Sequence, residues 1–512
     1  MMVCEKNAVE NRKIALIGDG HICRRFFLQF QSSLDIQYLL HTNLEGTSGS
    51  VDSFFKEGEK VRCMPINSSV IKEQNLLLIL CVEHALRASY DTLLFNMGLL
   101  WGVDYVDFRY VIQYYRNKYN IAMDEMNIWI FGAGNNGRYF YDAYKEIFHI
   151  RGFLSNFENE KEYMGLQVIR PSDMKMKKDY FVVICSDADE LMSRQLGEMG
   201  MTGGKDFGFA ELLPGKLFIA VGICQITKTA KTLAQNLFFN RRYQMDIYFQ
   251  TAYEPFSDAD NRRVKEYGIF CDVVFYNVAN AGTNEFYDYE PVLNQYYRKA
   301  IRFFMPFYFF NGQLMQATEG LNPYAIRIER LNGGWHYWFR GDKEINKMIE
   351  ANLSVDDIVQ RVTGEYWCNQ DIKDNFVHAL KRIEVLDRFS SFPVRDFIEE
   401  NYKRILIFID GTHFSYQLCL YLANEIAKSL GVQPMEDQGI LNEGEYTLTS
   451  VMPIYPCVKR ALGIERGEHF QYYNPAKNML ENVDIQQYAQ RYARYVLNIR
   501  EIHEKTGAFM GY

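Results

Sequence analysis

At 512 residues, with 48% apolar and 23% charged side chains, the chain is too long for one ordinary core and too apolar for disorder, so about three folded units are expected. A formal net charge of −8 offers no general attraction to phosphate backbones or anionic lipid, which argues against nucleic-acid and membrane-surface partners and leaves small molecules. The ten cysteines are scattered, with no C-x-x-C pair and no zinc or disulfide spacing, so they read as reduced thiols, with no metal site and a cytoplasmic location expected. The opening residues MMVCEKNAVENRK carry no apolar leader, and no apolar run approaches the ~20 residues that cross a bilayer.

In chain order, the N-terminal half carries one series of signals twice. Copy one runs KIALIG, Gly18-Asp19-Gly20, the helical stretch HICRRFFLQF, then DIQYLL, NLLLILCV, a helix and WGVDYVDF. Copy two runs NIWIFG, Gly132-Ala133-Gly134, NNGRYFYDAY, IRGFLSN, a turn at Pro171, DYFVVICSD, a helix and GGKDFGF. Short apolar runs alternating with amphipathic helices predict parallel strands joined by crossover helices, hence an α/β fold with two small Rossmann-like units in tandem. Gly132, Gly134 and Gly137 complete G-x-G-x-x-G between strand and helix, a candidate nucleotide turn, whereas copy one has Cys23 in the third place. Neither copy ends its second strand on an acid that would hold a ribose, and a tight scaffold turn is the alternative reading.

After Pro214-Gly215 a third α/β series opens with KLFIAVGICQ, turning at Gly222 into the helical ITKTAKTLAQNLFF. Cys224 falls at that helix N-terminus, where free N–H groups favour a thiolate. Next come the strand-like CDVVFYNV, a loop holding Asn284, the helix FPVRDFIEENY, the strand-like RILIFID, and Gly411-Thr412-His413 before the helix FSYQLCLYLANEIAKSLG. Cys224 and His413 are thus both expected at the C-terminal ends of parallel strands, the edge where open α/β sheets bind ligands. Asp410, three residues before His413, suits the orienter of a nucleophile–base–acid set, and the Asn284 amide suits an oxyanion donor. Packing is the alternative for the cysteine, helix capping for the histidine, and turn formation for the aspartate. His336, among aromatics in GGWHYWF, reads as structural.

The order of nucleophile, G-x-N and D-x-x-H is similar to that of the SGNH hydrolases. From Lys216 to the C-terminus the chain resembles the WcbI family of capsular and exopolysaccharide biosynthesis. The resemblance is carried by the G-x-C-Q turn, the stretch VLDRFSSFPVRDFIEENYKRILIFI, a histidine opening a long helix that ends in Leu-Gly, and PIYPCVKRALGI. Copy two also resembles N-terminal modules of bacterial sugar-modifying enzymes through FGAGNNGRYF and IRGFLSN. The WcbI resemblance implies a CoA-dependent acyltransferase, most simply an acetyltransferase, that uses Cys224, Gln225 and His413. Ile223 and Phe414 stand where the family carries asparagine and proline.

The expected organisation is therefore residues 1–120 and 121–214 as Rossmann-like units and 215–512 as the acyltransferase unit. The expected partners are coenzyme A or acetyl-CoA and a carbohydrate or sugar-nucleotide acceptor. Lys228, Lys231, Arg241 and Arg242 are candidates for CoA phosphates, with a solvated helix face as the alternative. Two further readings stay open: a non-catalytic sugar-nucleotide- or CoA-binding assembly protein, and an NAD(P)-dependent oxidoreductase centred on Gly132–Gly137.

Overall fold

The computed structural model describes residues 9–41, 61–157, 161–175, 177–249, 258–277, 290–317, 324, 326–328, 335–337, 341–437, 451–465, 470–474 and 479–506. The apolar runs form strands buried on both faces, as parallel sheets covered by helices require. Strands β1 (Ile14–Gly18), β2 (Ile36–His41), β3 (Arg62–Pro65), β4 (Leu77–Cys81) and β5 (Tyr105–Asp107) make an all-parallel sheet of order β3-β2-β1-β4-β5. Strands β6 (Asn127–Phe131), β7 (His149–Leu154), β8 (Glu162–Tyr163), β9 (Leu166–Ile169), β10 (Tyr180–Ile184) and β11 (Phe207–Phe209) form the second sheet, ordered β11-β10-β6-β7-β9-β8. Leaving out the antiparallel edge strand β8, its order is that of the first sheet, so the repeat in the sequence is a repeat in topology.

A third parallel sheet, β13-β12-β14-β15, is built from β12 (Lys216–Gly222), β13 (Tyr243–Phe249), β14 (Val273–Tyr276) and β15 (Ile301–Phe304). Here too the first strand is internal, but it lies between the second and third strands, not the second and fourth as in the other two sheets with β8 left out. The turn-bearing first strand is thus internal three times, and the fold is mixed α/β, with two further two-stranded antiparallel sheets, Ile326–Ile328 with Trp335–Tyr337 and Phe470–Asn474 with Met479–Val483. The buried residues do not divide into one core per sheet. One face of the third sheet (Leu217, Ile219, Val221, Tyr248) and one face of the second (Trp129, Phe131, Val182, Ile184) join the core of the first. The opposite face of the third sheet, through Phe218, Ala220 and Phe275, packs on the C-terminal helices, including Asn369–Asp387, Tyr416–Ser429 and Ile485–Thr506.

RILIFID is not a strand. Leu406 to Ile409 are buried, but in the helical layer, and their backbone is satisfied one group at a time. Ile407 N–H donates to Gln313 Oε1 at 2.9 Å and Met452 N–H to Ile409 O at 2.8 Å. Phe408 and Phe414 form a single antiparallel bridge. The segment has the apolar run of a buried strand, but among the described residues no strand pairs with it. Among the described residues no helix is long and apolar enough to cross a membrane.

Candidate functional site

Each first strand ends on, or immediately before, a glycine of positive φ, Gly18 (131°), Gly132 (126°) and Gly222 (154°), that opens the turn into the next helix. Gly222 admits no substituent, because a Cβ there would lie 2.2 Å from Asn277 Oδ1. The three helix N-termini differ in what faces them. In the first, Asp19 accepts from the N–H groups of His21 (2.9 Å) and Ile22 (3.0 Å), so the chain's own carboxylate fills the place of an external anion. In the second, a Cβ on Gly134 would meet nothing within 4 Å, while Gly137 closes on the turn so tightly that its Cβ would lie 1.9 Å from Gly132 O. In the third, the position after the cap is Cys224.

Helix Cys224–Leu233 packs against helix Tyr416–Ser429, and this contact brings His413 to Cys224. Ser415 caps the second helix through the Leu418 N–H, so the imidazole is presented just ahead of the cap, at the same end of the pair as the thiol. Asp410, only 3% exposed, is the anchor of the loop. Its Oδ1 accepts from the N–H groups of Thr412 (3.1 Å) and His413 (2.9 Å) and from Thr412 Oγ1 (3.1 Å). Its Oδ2 lies 2.6 Å from His413 Nδ1, which leaves Nε2 for the thiol, and His413 is hydrogen-bonded to Cys224.

These contacts set the charges. Burial pushes the Cys224 thiol up, but the charge and hydrogen bond of His413, together with Lys228, outweigh it and bring the thiol below its ordinary value. Burial pushes His413 down, but Asp410 and Cys224 outweigh that, and its pKa rises to about 9. Both shifts act in one direction, toward a protonated His413 held by a carboxylate and a more acidic Cys224 thiol facing it. The half-buried Lys228, one turn along the helix, acts on both members.

The remaining candidates fall into place around this triad. Gln225 is wholly buried: its Nε2 donates to Tyr308 O and Thr412 O, both at 2.7 Å, and its Oε1 accepts from Tyr308 N–H at 3.0 Å. Both amide hydrogens are engaged, so Gln225 ties the cysteine turn to the histidine loop and has no donor left for an oxyanion. Asn284 lies outside the described residues. The sequence reading passed over Asn277, at the end of β14, whose Oδ1 accepts from Ile223 N–H at 3.2 Å. Its Nδ2 is buried beside the Cys224 turn, with no hydrogen-bond partner among the described residues. An amide directly after a buried strand run that flanks the central strand was the available signal. Ile223 and Phe414 are core residues, Phe414 packing on Phe408 and Tyr308. Arg241 and Arg242 are not at this site; they sit at the start of β13, at the opposite sheet edge.

No family model matches the chain, and no curated protein matches it. Among solved structures, the native protein without a disulfide bond between CoA and one of its cysteines, from a study of WcbI as a novel polysaccharide biosynthesis enzyme, aligns with a TM-score of 0.44 and 13% identity. The alignment covers 57% of this chain and 96% of that one. Likeness at that level leaves the chemistry of this chain to rest on its own geometry.

Proposed function

We propose that this protein is a thiol-dependent acyltransferase that moves an acyl group, most simply acetyl, from a CoA thioester to a sugar hydroxyl in capsular or exopolysaccharide biosynthesis. The observation that carries the reaction class is the Asp410–His413–Cys224 chain, in which the thiol is lowered, the imidazole raised and the carboxylate bound to the far ring nitrogen. The donor and acceptor classes come from the WcbI-family resemblance of residues 216–512. The imidazolium state favours a covalent route over direct general-base attack, because a protonated ring cannot take the acceptor's proton.

In that route the Cys224 thiolate forms a bond to the acyl carbon, the thioester C–S bond breaks, and the departing thiolate takes the proton of His413 Nε2. The neutral imidazole then accepts the proton of the sugar hydroxyl as its oxygen bonds to the acyl carbon and Cys224 leaves as thiolate. Asp410 holds the ring through both steps. The Asn277 amide and the first-turn N–H groups of helix Cys224–Leu233 are the donors we assign to the tetrahedral oxyanion. We assign Lys228 to the anionic donor, and a nucleotide at the open turn of Gly132, Gly134 and Gly137 is a second, separate assignment.

Acetyl-CoA turnover and intact mass decide the matter. Cys224→Ala and His413→Ala are both expected to abolish turnover, with an acyl adduct in the wild type alone. Full activity in both variants would sink the site assignment, and activity in Cys224→Ala alone would sink the covalent route.

A further inference from the structure

A cavity of about 640 Å³ lies where the three sheet units meet, lined by Gly215 and Lys216 at the start of β12 and by Tyr243 and Gln244 at the start of β13. Cys224 follows the other end of β12, so at ~3.3 Å per residue this seven-residue strand separates cavity and thiol by about 20 Å. The lining carries five cations and two carboxylates. Three of the cations are not compensated within it: Asp124 pairs with Lys216 at 2.6 Å, Asp272 takes Arg116 in a two-pronged contact of 2.6 and 2.8 Å, and Glu211 pairs with Arg25. Arg109, Arg241 and Arg242 have no carboxylate partner among the described residues; Arg242 donates to Gly431 O at 2.8 Å.

Each unit contributes. Arg109 comes from the helix after β5, Tyr144 and Phe148 from the second unit, and Arg241 and Arg242 from the third. Tyr144 and Phe148 stack at 5.1 Å with 3° between their planes, and Arg241 acts electrostatically on the Tyr144 phenol. Planar guanidinium groups match phosphate oxygens in pairs, and aromatic rings accept a planar base. The volume exceeds that of a bare anion and falls within the range of small-molecule pockets.

We infer that this junction is a second ligand site, separate from the Cys224 site, that takes a nucleoside diphosphate or its sugar ester, with the phosphates on Arg109, Arg241 and Arg242 and the base against the Tyr144–Phe148 side. The inference does not depend on the acyl-transfer reading. A ligand bound there touches all three units at once and stabilises their association by mass action.

Isothermal titration of the full chain with UDP, ADP, UDP-glucose and inorganic pyrophosphate tests it. At least one nucleotide is expected to bind more tightly than pyrophosphate. The Arg109→Glu/Arg241→Glu double variant is expected to weaken it by about tenfold or more while leaving Cys224 alkylation unchanged. If that variant fails to fold, modification of Arg241 by phenylglyoxal in the wild type, slowed by the bound nucleotide, gives the same information. The inference is overturned by no nucleotide binding at millimolar concentration, by pyrophosphate binding as tightly as any nucleotide, or by affinity lost in Gly134→Asp instead of in the arginine variant.

Discussion

Burial, reinforced by nearby carboxylates, raises the thiols of Cys185 and Cys271, whereas Cys224 is lowered because His413 and Lys228 face it. At pH 7, iodoacetamide should therefore label Cys224 faster than the exposed Cys63 and Cys368, read by peptide mass spectrometry, and His413→Ala should remove that advantage. The state has a pH window. His413 is raised from about 6.5 to about 9, so the stability it contributes is fully present below about 6.5 and is lost as pH rises through 9. Asp410→Asn removes the charge that raises it. That variant should cut acyl transfer by at least about tenfold and lower the alkaline limb of the alkylation profile, an outcome that loop disruption alone would not produce.

At the scale of elements, the site depends on one strand end, that of β12 before Cys224, and on a clamp and a helix pair in place of the second strand end expected before His413. Gln225 satisfies three backbone groups across two segments. Gln225→Ala should cost about 2–4 kcal/mol in chemical denaturation by leaving buried groups unpaired, and should slow Cys224 labelling as the histidine loop loosens. The C-terminal layer carries a second charged device. Asp342 caps helix Lys343–Glu350 and accepts from Tyr455 Oη at 2.7 Å; it is fully buried, and burial raises its pKa to about 7. The folded state holds that proton more tightly than the unfolded chain, whose aspartate titrates near 3.9. Stability should thus fall as pH rises from about 4 to about 7, and Asp342→Asn should flatten that slope in urea titrations at several pH values.

At the scale of the molecule, the first and third units are joined by buried charge as well as by a shared core. Arg263, 1% exposed, makes contacts of 2.7 and 2.6 Å to Asp91 and 3.2 Å to Asp107, and stacks over Trp101. Arg87 reaches Asp246 of β13 at 2.8 Å. Arg263→Met leaves the buried Asp107 and the half-buried Asp91 without their cation and should cost about 3–5 kcal/mol. Because the same contacts join two units, loss of this pair should separate the unfolding of residues 1–120 from that of the third sheet, visible as two transitions in place of one.

The apolar runs and glycine turns were legible because strand and helix periods and the positive-φ turn are local properties. They led to the α/β class, the doubled unit, and Cys224 at a helix N-terminus. The pairing of Cys224 with His413 was legible too, but on the expectation of two parallel strands. RILIFID has strand composition, and only the tertiary layer decides that its neighbours are helices and a glutamine side chain. The third sheet shares with the first two an internal first strand that leads into a glycine turn, but not their strand order, which only the tertiary pairing fixes. The role of Gln225, the buried amide of Asn277 and the cation-lined junction arise between segments distant in sequence. The sequence by itself determined which residues could carry chemistry; their protonation states depend on distance and burial, which exist only once the helices have packed.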